Sequence, residues 1–246
     1  MTKAIILSAG QGRRLLPLTE NKPKCMLEIG EKTVLQWQLD ALLSAGIEDI
    51  SIITGFHSEQ VEALLQEAYK NKSSIKTIYN PFFNVSDNLA SCWLAREEMA
   101  GNFLLINGDT VFEESLLGVV LNSDSAPVIL TIDSKDSYDE DDMKVCLDGV
   151  QVRGVSKILN DEQTHAESIG MLYFRENGPR QFRATIENAM RKPSGLKSWF
   201  LSVVDAMATD GHVKACSISG HRWAEIDFLN DLEAAEKILA SSSATP

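Results

Sequence analysis

Cysteine and histidine are sparse in this sequence, and they are scattered. The four cysteines lie far apart without a CxxC pair, and the four histidines lack the spacing that is typical of metal ligands. No signal peptide is recognisable, so we predict reduced thiols in a cytoplasmic protein. Apolar runs are also short. None approaches the ~18 residues of a membrane span, so we predict no membrane partner.

Positive charge is scarce over most of the chain. The 23 Lys+Arg residues face 35 Asp+Glu residues, which leaves a net charge of −12. An acidic surface repels polyphosphate backbones, so we predict no nucleic-acid partner. The first 32 residues are the exception, with six Lys+Arg and three Asp+Glu. A small positive region on an acidic body suits a small anionic ligand.

No internal repeat or convincing linker divides the chain. We therefore predict a single domain over residues 1–240 and a flexible tail over residues 241–246. The first third alternates apolar strands (3–8, 49–54, 75–79) with helical spacing (33–45, 58–70). This alternation favours parallel strands with crossover helices. A hairpin that turns at Asp148-Gly149 interrupts it. We predict a Rossmann-like, three-layer α/β fold with a mixed, mostly parallel central sheet.

The opening stretch, residues 3–24, carries the densest functional pattern: KAIILSAGQGRRLLPLTENKPK. Its apolar run ends in small residues, and glycine lets backbone N–H groups approach a ligand closely. A dinucleotide fingerprint is excluded, because Leu15 stands where the third glycine belongs. The GxxxxGK[ST] loop of other nucleotide-binding proteins is absent as well.

Two basic side chains of this stretch suit a nucleoside triphosphate. Arg14 can form a bidentate, permanently charged clamp on phosphate oxygens. Lys24 can place a point charge at the α-phosphate, where negative charge shifts as the bond changes. The opening stretch therefore predicts a triphosphate-binding surface.

These motifs resemble the sugar-phosphate nucleotidyltransferases, whose pattern is L-[AS]-[AG]-G-x-G-[ST]-R-[LM] followed by P-K. Residues 7–15 read LSAGQGRRL, with Arg13 where the family has Ser or Thr, and residues 22–24 read KPK. Further segments are similar to the phosphocholine cytidylyltransferase branch: NP at 80–81, SDNLAS at 86–91, DMKV at 142–145, VSK at 155–157 and WAEID at 223–227. The resemblance covers about residues 2–238.

The resemblance implies a nucleotidyltransferase fold and a displacement reaction. A phosphate or phosphonate oxygen of an acceptor attacks the α-phosphorus of a nucleoside triphosphate, CTP being favoured, and pyrophosphate leaves. Asp109 and Asp227 are then expected to hold a catalytic Mg²⁺. Arg14 and Lys24 are the expected catalytic cations. The expected nucleotide-binding residues are Leu7, Ala9, Gly10, Gly12, Arg13, Asn88 and Ser91.

The acceptor is less well defined. By the same resemblance Lys157 contacts its phosphate. Glu167 can meet a polar or cationic group of the acceptor, although a position in a solvated loop is favoured. The acidic residues 136–142 are typical of a solvated loop, or attract a cationic head group. Ala90 stands where the branch often has Tyr. Trp199, Phe200 and Trp93 can bind a quaternary ammonium group or pack in the core.

Several functions therefore remain open. The acceptor can be phosphocholine, aminoethylphosphonate, another small phosphorylated amine or alcohol, or a sugar 1-phosphate. A second enzymatic hypothesis is a hexose-1-phosphate nucleotidyltransferase that uses UTP, dTTP or GTP. A non-enzymatic hypothesis is a catalytically silent nucleotide-binding regulator, although a silent protein has no need to keep the metal and phosphate ligands together. The sequence leaves the oligomeric state undetermined.

Overall fold

The computed structural model describes residues 2–240, and the predicted tail at residues 241–246 lies outside them. The described chain forms thirteen strands and seven α-helices, besides short 3₁₀ turns. The strands are β1 (Lys3–Ser8), β2 (Glu28–Ile29), β3 (Lys32–Thr33), β4 (Ile50–Thr54), β5 (Ile75–Tyr79), β6 (Phe103–Asn107), β7 (Thr110–Phe112), β8 (Val128–Asp133), β9 (Lys144–Asp148), β10 (Gln151–Ser156), β11 (Ala166–Phe174), β12 (Val213–Ser217) and β13 (Trp223–Glu225). The helices are α1 (Val34–Ser44), α2 (Ser58–Ala68), α3 (Asn88–Leu94), α4 (Ser115–Leu121), α5 (Gly178–Met190), α6 (Phe200–Thr209) and α7 (Leu229–Ala240).

Nine strands form one mixed sheet in the order β5-β4-β1-β6-β11-β8-β12-β10-β9. Strands β5, β4, β1 and β6 are parallel, as predicted. The prediction of a mostly parallel sheet is wrong for the second half, because five of the nine pairings in this sheet are antiparallel. Strand β11 runs against both β6 and β8. The predicted hairpin at Asp148-Gly149 is confirmed: it joins β9 to the antiparallel β10, with Gly149 at φ 61°.

Alternate side chains of the central strands enter two separate cores. Ile5 and Leu105 pack in a core with residues of α3, α5 and α6. Ile6 and Leu104 pack in another core, with residues of α1, α2 and α4. This period of two, together with burial on both sides, explains why β1 and β6 are continuous apolar runs in the sequence. None of the described helices combines the length and apolar character needed to span a bilayer.

Helix α1 begins where its sequence predicts. Thr33 Oγ1 accepts a hydrogen bond of 3.2 Å from the Gln36 N–H, and Gln36 Oε1 accepts one of 2.9 Å from the Thr33 N–H. This reciprocal capping box satisfies two donors at the helix start. It fixes the first turn of α1 and thereby sets the direction of Gln38, which points toward the end of β6.

The ends of the parallel strands bring distant motifs together. Strand β1 pairs with β6 so that Leu7 lies opposite Asn107. The Gly108 N–H donates 3.0 Å to the Leu7 carbonyl, and a Cβ on Gly108 would lie 2.6 Å from that oxygen, so only glycine allows this approach. Strand β13 pairs with β7, and the Ile226 N–H donates to the Asp109 carbonyl at 3.0 Å. Asp109 and Asp227 are therefore neighbours.

Candidate active site

Lys24 lies between two carboxylates from distant parts of the chain. Its Nζ donates hydrogen bonds of 2.7 Å to both Asp109 Oδ2 and Asp227 Oδ1. Burial lowers the pKa of Lys24, but the charges and hydrogen bonds of the two aspartates outweigh burial and raise this pKa above its ordinary value. Lys24 therefore remains a cation, and one positive charge holds both carboxylates in place.

The glycine-rich loop after β1 is shaped around Lys24. Gly12 has φ 75°, which glycine adopts readily, and a Cβ at this position would lie 3.0 Å from the Lys24 Cβ. Thr19 Oγ1 donates 2.8 Å to the Gly12 carbonyl and holds the loop from its other end. Any larger residue at Gly12 would therefore displace Lys24 or strain the loop.

A buried amide from α1 clamps the turn that carries Asp109. Gln38 Nε2 donates to the carbonyls of Asn107 at 2.7 Å and Thr110 at 2.8 Å, so it spans both sides of the turn. Gln38 is 1% exposed. Thr110 Oγ1 adds a hydrogen bond of 3.1 Å to the Ile169 carbonyl. Because hydrogen bonds of a buried amide are costly to lose, these contacts hold Asp109 in one position.

Asp109 also leaves one oxygen unmatched. Its Oδ1 is buried and has no hydrogen-bond partner among the described residues. Mg²⁺ is commonly held by one or two carboxylates, with phosphate and water oxygens at its other positions. The donors of Asp109 and Asp227 therefore fit Mg²⁺. Within residues 2–240, no group of three or more His, Cys, Asp or Glu side chains is placed to hold a metal ion. A bound Mg²⁺ would therefore need phosphate and water oxygens as its remaining ligands.

Glu225 is a third acidic residue of this cluster, and the sequence analysis assigned it no role. Burial and, to a smaller extent, the charges of Asp109 and Asp227 together raise the pKa of Glu225 to about 8, with Lys24 acting in the opposite direction. The sequence does contain a signal for the position of Glu225. Glu225 stands two residues before Asp227, and in an extended segment this spacing places both side chains on the same face. Near neutral pH, Glu225 can therefore carry a proton beside the two aspartates.

A second group of charges lies farther along the same cleft. Arg14 Nη1 is 3.5 Å from Asp227 Oδ2, and Arg14 Nη2 is 3.1 Å from Asp141 Oδ1. Lys157 Nζ is 3.6 Å from the same Asp141 oxygen and 4.6 Å from the centre of the Trp199 ring. This ring is 44% exposed, so the core-packing interpretation of Trp199 does not hold. Arg14 thus connects the aspartate pair to the part of the cleft that holds Lys157.

These residues line a cleft of about 380 Å³. An adjoining recess of about 260 Å³ shares part of its wall with the cleft. Nine predicted site residues line the cleft: Leu7, Gly10, Gly12, Arg14, Lys24, Asn88, Asp109, Lys157 and Asp227. The recess is lined by Leu7, Ala9, Gly10, Asn88 and Ser91, together with Asn80 and Trp199.

Asn88 and Ser91 use their side chains to hold the recess together. Asn88 Oδ1 accepts a hydrogen bond of 2.9 Å from the Phe200 N–H, which joins the start of α3 to the start of α6. Ser91 Oγ accepts one of 3.1 Å from Asn80 Nδ2. Both residues therefore shape the wall beside the cleft, whatever else they bind.

Two predicted site residues lie outside the lining of the cleft and the recess. Arg13 Nη2 donates 2.7 Å to Asn84 Oδ1, beyond the glycine-rich loop. Glu167 Oε2 is paired with Lys135 Nζ at 3.0 Å. Burial raises the pKa of Glu167 to about 7, with Lys135 acting in the opposite direction. The solvated-loop alternative is wrong for Glu167, because this residue lies within β11 and is 8% exposed. Contact of Glu167 with the acceptor and the nucleotide-binding role of Arg13 stay predictions.

A larger cavity of about 900 Å³ lies beside Trp37, Asp40 and Phe112. It contains none of the predicted site residues, although it is more than twice the volume of the cleft. Size alone therefore does not identify the reactive site. The cleft is the stronger candidate because it combines paired charges, an unmatched carboxylate oxygen and small residues at a strand end.

Known proteins resemble this chain in sequence and in fold. The sequence profile of the nucleotidyl transferase family matches residues 3–140. A choline-phosphate cytidylyltransferase of Streptococcus pneumoniae is 35% identical over 111 residues, which are 45% of this chain and 46% of that protein. A CTP:phosphoglutamine cytidylyltransferase of Campylobacter jejuni is 25% identical, over 94% of this chain and 97% of that protein.

The fold also has a counterpart among solved structures. A structure of CTP:phosphocholine cytidylyltransferase from Streptococcus pneumoniae superposes with a TM-score of 0.80 at 23% identity. The superposition covers 97% of this chain and 99% of the other chain. The likeness therefore extends over the whole mixed sheet, including the second half with its antiparallel strands.

Proposed function

The chain belongs to the nucleotidyl transferase family, and on this premise we propose that it is a cytidylyltransferase-like member, which transfers CMP from CTP to a small phosphorylated or phosphonate acceptor and releases pyrophosphate. The names of two relatives support the choice of CTP and of small phosphorylated acceptors. Phosphocholine, aminoethylphosphonate and similar small molecules are the acceptors we propose.

The observation that carries this proposal is the position of Lys24 between Asp109 and Asp227. One ammonium group contacts both carboxylates at 2.7 Å beside the glycine-rich loop. Such a site brings positive charge and metal-binding oxygens to the same place, which is what stabilisation of a reacting phosphate requires. Mg²⁺ bound by Asp109 and Asp227 would supply further positive charge against the charge that develops on the α-phosphate.

The remaining residues bind and orient the two substrates. In this proposal Lys24 exchanges part of its contact with the aspartates for the α-phosphate, while Arg14 binds the triphosphate from the glycine-rich loop. The recess beside Leu7 and Ser91 receives the base. Lys157 holds the phosphate or phosphonate of the acceptor at the far end of the cleft. The reaction is a direct displacement, so positioning and charge provide the catalysis.

Pyrophosphate release tests this proposal. CTP, UTP, dTTP and GTP are each combined with phosphocholine, aminoethylphosphonate, phosphoglutamine and glucose 1-phosphate in the presence of Mg²⁺. We expect release with CTP and at least one of the nitrogen-containing acceptors. Release only with glucose 1-phosphate and UTP, dTTP or GTP would instead identify a hexose-1-phosphate nucleotidyltransferase. No release with any pair would leave a nucleotide-binding regulator.

A further inference from the structure

One carboxylate oxygen in the cleft bridges two cations from different parts of the chain. Asp141 Oδ1 is 3.1 Å from Arg14 Nη2 and 3.6 Å from Lys157 Nζ. Arg14 belongs to the loop after β1, and Lys157 follows β10. Asp141 comes from the acidic loop, residues 134–143, which joins β8 to β9. Among the described residues, the ion pairs of Arg14 and Lys157 are with Asp141 and Asp227.

Contacts other than those of Asp141 also hold the acidic loop. Its neighbour Asp142 anchors the loop. Asp142 Oδ2 accepts a hydrogen bond of 2.6 Å from the Asp139 N–H and forms an ion pair with Lys135 Nζ at 2.7 Å. The Asp142 carbonyl also accepts 3.0 Å from the Lys144 N–H. The Asp141 side chain is 46% exposed and extends from this anchored segment into the cleft. Asp141 can therefore move without unfolding the loop.

Arg14 and Lys157 are well suited to bind an anionic group with more oxygens than the Asp141 carboxylate, which contacts both cations through one oxygen. A phosphoryl or phosphonyl group presents three oxygens and up to two negative charges. It can therefore contact Arg14 and Lys157 at the same time through different oxygens. The Trp199 ring, 4.6 Å from Lys157 Nζ, keeps the ammonium group at this position. Exposed ion pairs are weak, so a dianion can displace the Asp141 carboxylate.

We propose that Asp141 occupies, in the free protein, the position of the acceptor's phosphate or phosphonate, and that it is an internal competitor which the acceptor must displace. This inference rests on the proposed function, because it assigns the subsite between Arg14 Nη2 and Lys157 to the anionic group of the acceptor, while Arg14 Nη1, on the Asp227 side, faces the triphosphate. Asp141 is thus a specificity-determining residue. A dianionic acceptor replaces it readily, whereas a neutral or singly charged molecule gains little over the carboxylate.

Binding of methylphosphonate, measured by titration calorimetry at low ionic strength without nucleotide or metal, tests this inference. The variant D141N removes the internal competitor, and E140Q is its matched control, with the same change of charge in the same loop. Glu140 is exposed. We expect D141N to bind methylphosphonate about two- to tenfold more tightly than both the wild-type protein and E140Q, because it releases Arg14 and Lys157, which are 47% and 24% exposed, from Asp141.

Two further measurements localise this gain. In a Lys157→Ala background the gain from D141N is expected to shrink, because one of the two released cations is missing. It is also expected to shrink at high salt, since exposed charges are screened. Equal binding by D141N and E140Q, weaker binding by D141N, or a gain that is unchanged without Lys157 would overturn the inference. These results do not depend on turnover, whereas the absence of pyrophosphate release would refute the proposed function alone.

Discussion

Replacing Lys24 by methionine removes one positive charge while keeping most of the side-chain volume. The wild-type ammonium group contacts both aspartates at 2.7 Å, and the side chains of Asp109 and Asp227 are 22% and 31% exposed. Breaking a fully buried ion pair costs about 3–5 kcal/mol, and an exposed pair contributes about 0.2–1 kcal/mol. For this intermediate exposure we expect the free energy of unfolding of K24M to fall by about 1–3 kcal/mol at pH 8.

The loss in K24M should depend on pH. In the wild-type protein the pKa of Lys24 is raised on folding, so its stabilisation is complete at and below the ordinary lysine pKa and is lost only as pH rises through the raised value. In K24M the carboxylates of Asp109, Asp227 and Glu225 face one another without this cation. Their repulsion grows as Glu225, whose pKa burial raises in the wild-type protein to about 8, ionises with rising pH, so the variant loses stability over that range. The deficit is therefore larger at pH 8 than at pH 5.

Urea unfolding without metal at pH 5 and pH 8, compared with activity, provides the assay. Lys22→Met is the matched control, because Lys22 pairs with Glu28 at 3.2 Å on the exposed surface. We expect K24M to lower kcat by about 10²–10³, the range for loss of one preorganised charge contact, with a smaller change in the KM for CTP. An equal deficit at both pH values, or an effect confined to KM, would refute the reasoning.

Four more substitutions test the surroundings of Lys24. Burial raises the pKa of Glu225 to about 8, so wild-type stability falls as pH rises from the ordinary glutamate pKa through that value. E225Q should accordingly gain stability relative to the wild-type protein, by at least about 1 kcal/mol, between pH 5 and pH 8.5 in EDTA; a pH-independent difference would contradict this. Q38L should lower kcat by about 10- to 100-fold and raise the Mg²⁺ concentration for half-maximal activity, since it frees the Asp109 turn; a change in melting temperature alone would oppose this role. D109N and D227N should each lower kcat at least about 10³-fold while unfolding remains cooperative, and undiminished turnover in either would remove that residue from the metal site.

Local patterns in the sequence were sufficient for much of the fold. The comparisons confirm the predicted family and the enzyme class, and the structure confirms a mixed α/β fold. Helix α1 begins at Val34 because Thr33 and Gln36 form a cap that is readable from adjacent residues. The direction of β11 was not predictable in this way, because an apolar strand of nine residues fits a sheet in either direction. The single-domain boundary stays a prediction.

The candidate site shows the same division between local and long-range information. Arg14, Lys24, Asp109 and Asp227 do meet in one cleft, although their chemical roles stay predictions. Asp141 was missed, because a run of acidic residues is typical of a solvated loop, and its contact with Lys157 depends on how two distant loops are placed. The sequence has no pattern that distinguishes Asp141 from Glu140.

Gln38 was missed for a related reason. Gln38 lies on the buried side of α1 among apolar residues, and the sequence does not indicate which groups its amide hydrogen-bonds. Its two acceptors are backbone carbonyls of residues 107 and 110, and backbone carbonyls exist at every position. Only the packing of α1 against the end of β6 reveals that this amide supports Asp109.

Following an oxygen label through the reaction is the most direct test of CMP transfer. The acceptor that supports pyrophosphate release is prepared with ¹⁸O in its phosphate or phosphonate group and incubated with unlabelled CTP and Mg²⁺. Direct displacement predicts a product in which ¹⁸O bridges the acceptor phosphorus and the α-phosphorus of CMP, together with unlabelled pyrophosphate. Mass spectrometry and ³¹P NMR detect the position of the label. Label in the pyrophosphate, or pyrophosphate release without a CMP–acceptor product, would contradict the displacement proposed here.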